Sequence, residues 1–501
     1  MRGRSALPFL LFLSLLATAS AQSPQPDPTP AYARVQRPLS TSTGDAVAAF
    51  DDGLTLLYAF NPEEARVDFE RAARADRRFA LAWWGVAMTY GPNINTSYDP
   101  AAQRAGHAAI RKAEALEATA TPVERALIGA AAKRFAFQRS GDADNAARAY
   151  RDAMYAAADA FPLDDDVQTL AAEAEMDVHP WSYFNADGSA TAGTPSLIAR
   201  LQTVLARDPQ HIGANHFLIH AFEESPHPEE ALPAARRLAA MNFEPAAEHL
   251  IHMPAHDFMR IGAYHEAGEA NARAIDAYRA YLASGPAGHA EYYGHDCIFG
   301  VDAFMMSGEY GRSRSLAALC RQSADGELAL VDWRFRHWDA LLADATTNPF
   351  LAGMLAVHAG RLADAQNDLK IVRKGSDTTA TIEAGLLDGA MAGARGDSGQ
   401  QIADLRRAVA AQDTFGYSEP PEFFFPARES LGGALLRAGR AGEAEAVFRA
   451  DLETNRENPR SLFGLAEALA AEGRVEDARA ARARFTRAWA HADTALDIKD
   501  L

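Results

Sequence analysis

Apolar, small and polar positions in the C-terminal part of the chain recur with one period. Leu431, Ala434, Leu435, Gly439, Arg440 and Ala444 return as Leu465, Ala468, Leu469, Gly473, Arg474 and Ala478, each 34 residues on. A Gly-Arg pair also stands at 360–361. A fixed period of this length predicts one helical supersecondary unit stacked many times, each copy burying its apolar face against its neighbours. Small residues let two helices approach, and a bulky one fills the hole between them. Four stretches break the helical pattern: 91–100, 177–195, 284–294 and 412–426. They carry Trp181, Tyr183, Tyr292, Tyr293, Tyr417 and three consecutive phenylalanines, Phe423 to Phe425. Long loops in a compact array are often functional. These are expected to fold over one face as a partial lid, or else to pack against the superhelix.

The period and the small/large alternation resemble the tetratricopeptide repeat, whose unit is two antiparallel helices. That pattern has a small residue at repeat position 8, Ala at 20, an aromatic at 24 and Ala at 27. Gly53, Ala65, Phe69 and Ala72 fit all four, and Gly353, Ala365 and Leu369 fit with Leu replacing the aromatic. The resemblance implies an all-α, superhelical solenoid of antiparallel helix pairs with inserted loops over residues 43–501. It is clearest at 46–80, 212–325, 346–374 and 425–490. Between 100 and 200 the frame rests on spacing alone, and an irregular helical region is the alternative. Ala231, Ala267 and Gly308 place three central repeat starts near 212, 248 and 294, with lengthened loops. His252-Met253-Pro254-Ala255-His256, Arg260 to Tyr264 and Gly91 to Asn95 look like segments of uncharacterised exported bacterial proteins of this repeat family. That likeness implies no activity.

The resemblance also implies that the first helix of each unit lines a concave groove through positions 2, 5, 9, 12 and 13. In the three central repeats, positions 5 and 9 are His216 and His220; positions 2, 5 and 9 are His249, His252 and His256; and position 2 is His295. Position 9 of the third repeat is Asp302. Two His-x-x-x-His pairs on adjacent helices aim four imidazoles at one space. His216, His220, His252 and His256 are therefore the core candidates for a metal site. His249 and His295, one turn away, either complete it or build a second. Imidazole donors suit copper, zinc or iron and not magnesium or calcium. Glu223 and Asp296 are candidate ligands, partners orienting an imidazole, or general bases, Glu223 foremost. The zinc-protease motif is absent. His227, His265 and His289 read as surface residues, and His107, His337, His358 and His491 are isolated. Cys297 and Cys320 fall at positions 4 and 27 of one repeat, where paired helix ends meet. A disulfide is expected there, with two buried free thiols as the alternative.

Composition narrows the reading. The 501 residues carry 49 basic and 67 acidic side chains, a net charge of −18. Such a balance argues against nucleic acid or an anionic membrane surface as partner. A hydrophobic fraction of 48% excludes wholesale disorder, and two cysteines exclude a Cys-rich zinc module. Arg2 and Arg4, the apolar run from Ala6 to Thr18, and Ala19-Ser20-Ala21 compose a secretory signal peptide over 1–21. A Pro-rich linker is expected over 22–42. Asp164-Asp165-Asp166 reads as a solvated helix start. No nucleophile-elbow, Walker or dinucleotide fingerprint occurs. Three functions remain: an exported repeat protein holding a transition metal in its groove, a scaffold gripping a peptide or protein partner without metal, and an enzyme using the histidines as acid and base.

Overall fold

A computed structural model describes residues 32–136, 143–283, 292–343 and 348–501. The expected signal peptide over 1–21 and the first part of the expected linker lie outside them, as do His289 and most of the 284–294 stretch.

Consecutive helices pack in pairs along the chain. The first pair is Gly44–Tyr58 with Pro62–Ala75, and the last is Pro459–Ala471 with Val475–Ala488. Between 100 and 207 the pairing continues without a break, in Pro122–Arg134 with Ala143–Ala160 and Asp165–Met176 with Thr194–Arg207. The chain is an all-α helical-repeat solenoid, and no strand runs among the described residues. Side-chain caps start many of the helices: Asn61, Asp99, Asn348 and Asn458 each accept a backbone N–H with Pro next in sequence. The Gly-Arg turns end them. Gly360, Gly439 and Gly473 have φ of 70°, 72° and 75°, which favours glycine. The following Arg361, Arg440 and Arg474 then donate N–H to the carbonyls of Ala356, Leu435 and Leu469. This satisfies a carbonyl that the helix end leaves open. The aromatic position works as a wedge: a Cβ on either Gly53 or Gly85 would strike the Phe69 ring, and Gly432 and Gly464 clasp Phe448 in the same way.

Three departures from the sequence reading matter. The segment expected to be free linker is strapped down from residue 32 on. Ala33 donates N–H to the Asn242 carbonyl at 2.7 Å, and Arg37 pairs with Asp164 at 3.1 Å and Asp166 at 3.2 Å. The acidic run is therefore not simply solvated. It does start the helix Asp165–Met176, with Asp164 as cap, but Asp166 is buried and also accepts from the Tyr58 hydroxyl. His265 is half-buried, 2.9 Å from Glu309 and stacked on His491, because a C-terminal turn closes over it. His227 is exposed.

The superhelix closes on itself. Arg456 pairs with Glu229, the Tyr264 hydroxyl donates to the Arg456 carbonyl, and Asp493 caps the turn at Tyr310 and Gly311. These contacts bring the 412–426 loop from the C-terminal third over the central repeats. Cys297 and Cys320 join the paired helices Tyr293–Ser307 and Tyr310–Leu319 as a disulfide, with Cα atoms 5.9 Å apart. No described helix is long and apolar enough to cross a membrane.

Candidate metal centre

Three neighbouring elements, the middle one split into two helices, supply the six groove histidines. Ile212–Phe222 carries His216 and His220; Tyr293–Ser307 carries His295. The middle element is not one helix. Pro254 has no N–H to donate and its ring crowds the preceding turn, so Glu248–His252 ends and Pro254–Ile261 begins anew. Rings of His252 and His256 still meet across this junction, 4.6 Å between centroids.

The six histidines form two triads rather than one four-histidine core: His216, His220 and His249 in one, His252, His256 and His295 in the other. In each, one ligand atom per residue lies within 4.8 Å of the others. The two His-x-x-x-His pairs do not converge on a single point because the middle element lies between the other two. His249 faces the helix before it, and His252 and His256 face the helix after it.

Two Nδ1 atoms hydrogen-bond to an acceptor, and two more lie close to carboxylates. His216 Nδ1 donates to the Tyr58 carbonyl at 2.7 Å, and a carbonyl can only accept. His252 Nδ1 donates to Asn271 Oδ1 at 2.6 Å, and that amide's orientation is set by its own bond to the Ala267 carbonyl. His220 Nδ1 lies 2.9 Å from Glu223 Oε1; His256 Nδ1 lies 3.3 Å from the same oxygen and 2.5 Å from Glu419 Oε2. With Nδ1 protonated, the neutral rings of His216 and His252 turn an Nε2 lone pair inward. Those atoms crowd together: His216 Nε2 is 3.2 Å from His249 Nε2, and His252 Nε2 is 2.6 Å from His256 Nε2 and 3.1 Å from His295 Nε2. Nitrogens 2.0–2.1 Å from a tetrahedral zinc would stand about 3.3 Å apart. The donor set therefore fits a transition ion. Buried polar atoms around it make no hydrogen bond among the described residues, though some lie at ion-pair distance: both nitrogens of His220, both oxygens of Glu223, Nδ1 of His249 and of His256, Glu419 Oε2 and both oxygens of Asp296. Orphans of this kind are costly unless something else binds them.

Burial and neighbouring imidazoles hold His216, His220, His249 and His252 far below the usual histidine range, and bring His295 down to about 3. Neutral imidazole is the form that binds metal. His256 differs. Burial opposes its charge, yet Glu223 and Glu419 together push it up to about 9. Burial raises Glu223 to about 7. Without a cation, a proton shared by His256 and His252 accounts for their short contact; a metal ion would take that proton's place.

All four interrupting stretches reach this place. A cavity of about 470 Å³ is lined by Asn95, by Trp181, by Tyr292, and by Tyr417 to Glu419, one group from each stretch, over His220, His249, His256 and His295. Trp181 meets His220 edge-on at 5.4 Å, and Tyr292 lies against His249 at 4.4 Å. Sequence reasoning missed Glu419 and Asn271. Glu419 sits in a loop with no repeat register, and Asn271 sits on a second helix, outside the groove positions searched. Asp302 is buried apart from the triads, beside Glu327.

No family model matches the chain, and no curated protein matches it. Among solved structures it is similar to the human IFIT1 dimer with PPP-AAAA: 12% identity, 89% of this chain and 93% of that one, TM-score 0.32. The same dimer with m7Gppp-AAAA gives 12%, 90%, 91% and 0.32, and a monomeric IFIT1 mutant with m7Gppp-AAAA gives 10%, 81%, 90% and 0.32. Likeness at this level carries no argument about function.

Proposed function

We propose that this chain is an exported helical-repeat protein that holds a transition metal, copper, zinc or iron, at the histidines of its groove. One observation carries the reading: His216 and His252, tethered through Nδ1, turn their Nε2 atoms to within 3.2 Å of His249 Nε2 and to within 2.6 and 3.1 Å of His256 and His295 Nε2. Tethering the far nitrogen to a carbonyl or carboxylate is how proteins set the tautomer and aim of a metal-binding histidine. In this reading Glu223, beside His220 and His256, balances charge at the site rather than acting as a general base. The Tyr58 carbonyl holds His216, Asn271 holds His252, and Glu419 lies beside His256.

The alternative, a metal-free scaffold gripping a peptide in the groove, is disfavoured at this place. The stretch of groove beside the triads is walled by all four loops and leaves a cavity of about 470 Å³, a size that suits a small molecule. Export rests on residues 1–21, and the Cys297–Cys320 bridge accords with an oxidising compartment.

The test is elemental analysis of untagged protein beside His216→Ala/His252→Ala, with thermal melting. Wild type is expected to hold metal at neutral pH and to melt higher when loaded, since a ligand of the folded state stabilises it by mass action. The double variant is expected to lose both effects. Metal-free wild type after reconstitution, or equal binding by the variant, refutes the site.

A further inference from the structure

We propose that the two triads are the halves of one paired centre: two ions, one per triad, with their open coordination positions turned into the same cavity, where a small nitrogen- or oxygen-donor ligand bridges them. This rests on the metal reading above and adds number, adjacency and a ligand class to it.

Adjacency comes first. Ring centroids within a triad are 4.6 to 5.9 Å apart. Between triads, His249 and His252 are 6.0 Å apart and His220 and His256 are 6.2 Å apart. The gap between the two sets is thus scarcely wider than the spacing inside each. Glu223 spans it: one oxygen, Oε1, touches Nδ1 of His220 in the first triad and Nδ1 of His256 in the second. A single carboxylate lying against one candidate ligand of each ion ties the two sites into a unit.

Openness comes next. Three protein donors leave a transition ion short of four-coordination, the condition of a site that takes up an exogenous ligand. The missing position has a direction. His216 and His252 are fully buried behind the site, whereas two rings of each triad, His220 with His249 and His256 with His295, line the one cavity. The side of each triad not closed by protein therefore faces shared space. That space, about 470 Å³, lies within the range of small-molecule sites and is far larger than one water. Its other walls include Trp181, Tyr292 and Tyr417, with Trp181 and Tyr292 packed against His220 and His249, and add no further imidazole. A ligand held there would meet both ions and these aromatic rings together.

The experiment titrates untagged, metal-free protein with copper(II), reads bound copper per chain, and records electron paramagnetic resonance before and after adding azide. Two coppers per chain are expected, with a double-integrated signal well below that of two isolated ions, and azide is expected to perturb both together. His216→Ala and His295→Ala, each disabling one triad, are expected to keep one copper with a full, isolated signal. One copper per wild-type chain, or two coppers with full isolated signals that azide shifts independently, overturns the pair while leaving metal binding intact. No bound copper at all overturns the metal reading and the pair with it. Circular dichroism of both variants checks that they remain folded. If one does not fold, the other and the wild-type count still decide.

Discussion

Asn271→Ala removes a residue that sits outside the predicted metal ligands yet holds one of them in place. Asn271 is fully buried; its Oδ1 accepts from His252 Nδ1 at 2.6 Å and its Nδ2 donates to the Ala267 carbonyl at 2.9 Å. With the amide gone, His252 keeps only Asp296 Oδ1, at 3.2 Å, near Nδ1. The ring is then free to tilt or to change tautomer, which would turn a proton rather than a lone pair toward His256 and His295. Loss of such a partner typically costs 10–100-fold in metal affinity, or about 1.4–2.7 kcal/mol. Because Asp296 offers a substitute, the expected loss lies near the lower end, about tenfold. Metal-free stability should also fall by about 1–2 kcal/mol, since a buried donor loses its partner. The two effects separate by experiment. Chelator competition under conditions where both proteins are folded reads affinity, and urea denaturation of metal-free protein reads stability. Affinity within threefold of wild type, alongside the expected loss of stability, would show that Asn271 is merely structural and that His252 is not aimed by it.

Three further outcomes are expected. The Cys297–Cys320 bridge closes a loop of 23 residues, for which chain entropy gives about 3 kcal/mol; urea melts before and after reduction check this, and two alkylatable thiols in unreduced, denatured protein would exclude the bridge. Phe69→Ala empties the wedge between Gly53 and Gly85 at a fully buried position and should cost about 3–5 kcal/mol; a loss under 1 kcal/mol would mean the repeats do not interlock there. Burial alone would raise the Glu429 carboxyl, but Arg334 and Arg460 hold it below the usual range. Its stabilisation is therefore present above the unfolded value of about 4.3 and is lost as pH falls through its folded value. Glu327 is opposite: burial raises it to about 7, so its contribution weakens stability as pH rises from about 4.3 to 7. Denaturation curves at pH 3–8 should show Glu429→Gln flattening the acid limb and Glu327→Gln flattening the fall in stability toward neutrality, and unchanged slopes would refute both assignments.

Much of this architecture is local information. The 34-residue period, the Gly-Arg turns and the Phe69 wedge each act within one or two neighbouring units, where side-chain size and a positive φ are enough to decide the structure. Helical register is equally local, so six groove histidines are legible from their repeat positions alone. Their grouping is not. Pro254 splits the middle helix, and His249 pairs backward while His252 and His256 pair forward, which depends on how three helices stack. The partners of the far nitrogens lie further off still. His216 is held by a backbone carbonyl 158 residues earlier, and His256 by Glu419 from a loop more than 160 residues later. A carbonyl carries no side-chain signature, and Glu419 is one carboxylate among 67 acidic residues. Only closure of the superhelix, through Arg456, Tyr264 and Asp493, selects that carboxylate and brings four separate loops over one cavity. The groove histidines follow from a short-range period along the chain; the second set of contacts, and with it the grouping into triads, follows from long-range packing that no local pattern encodes.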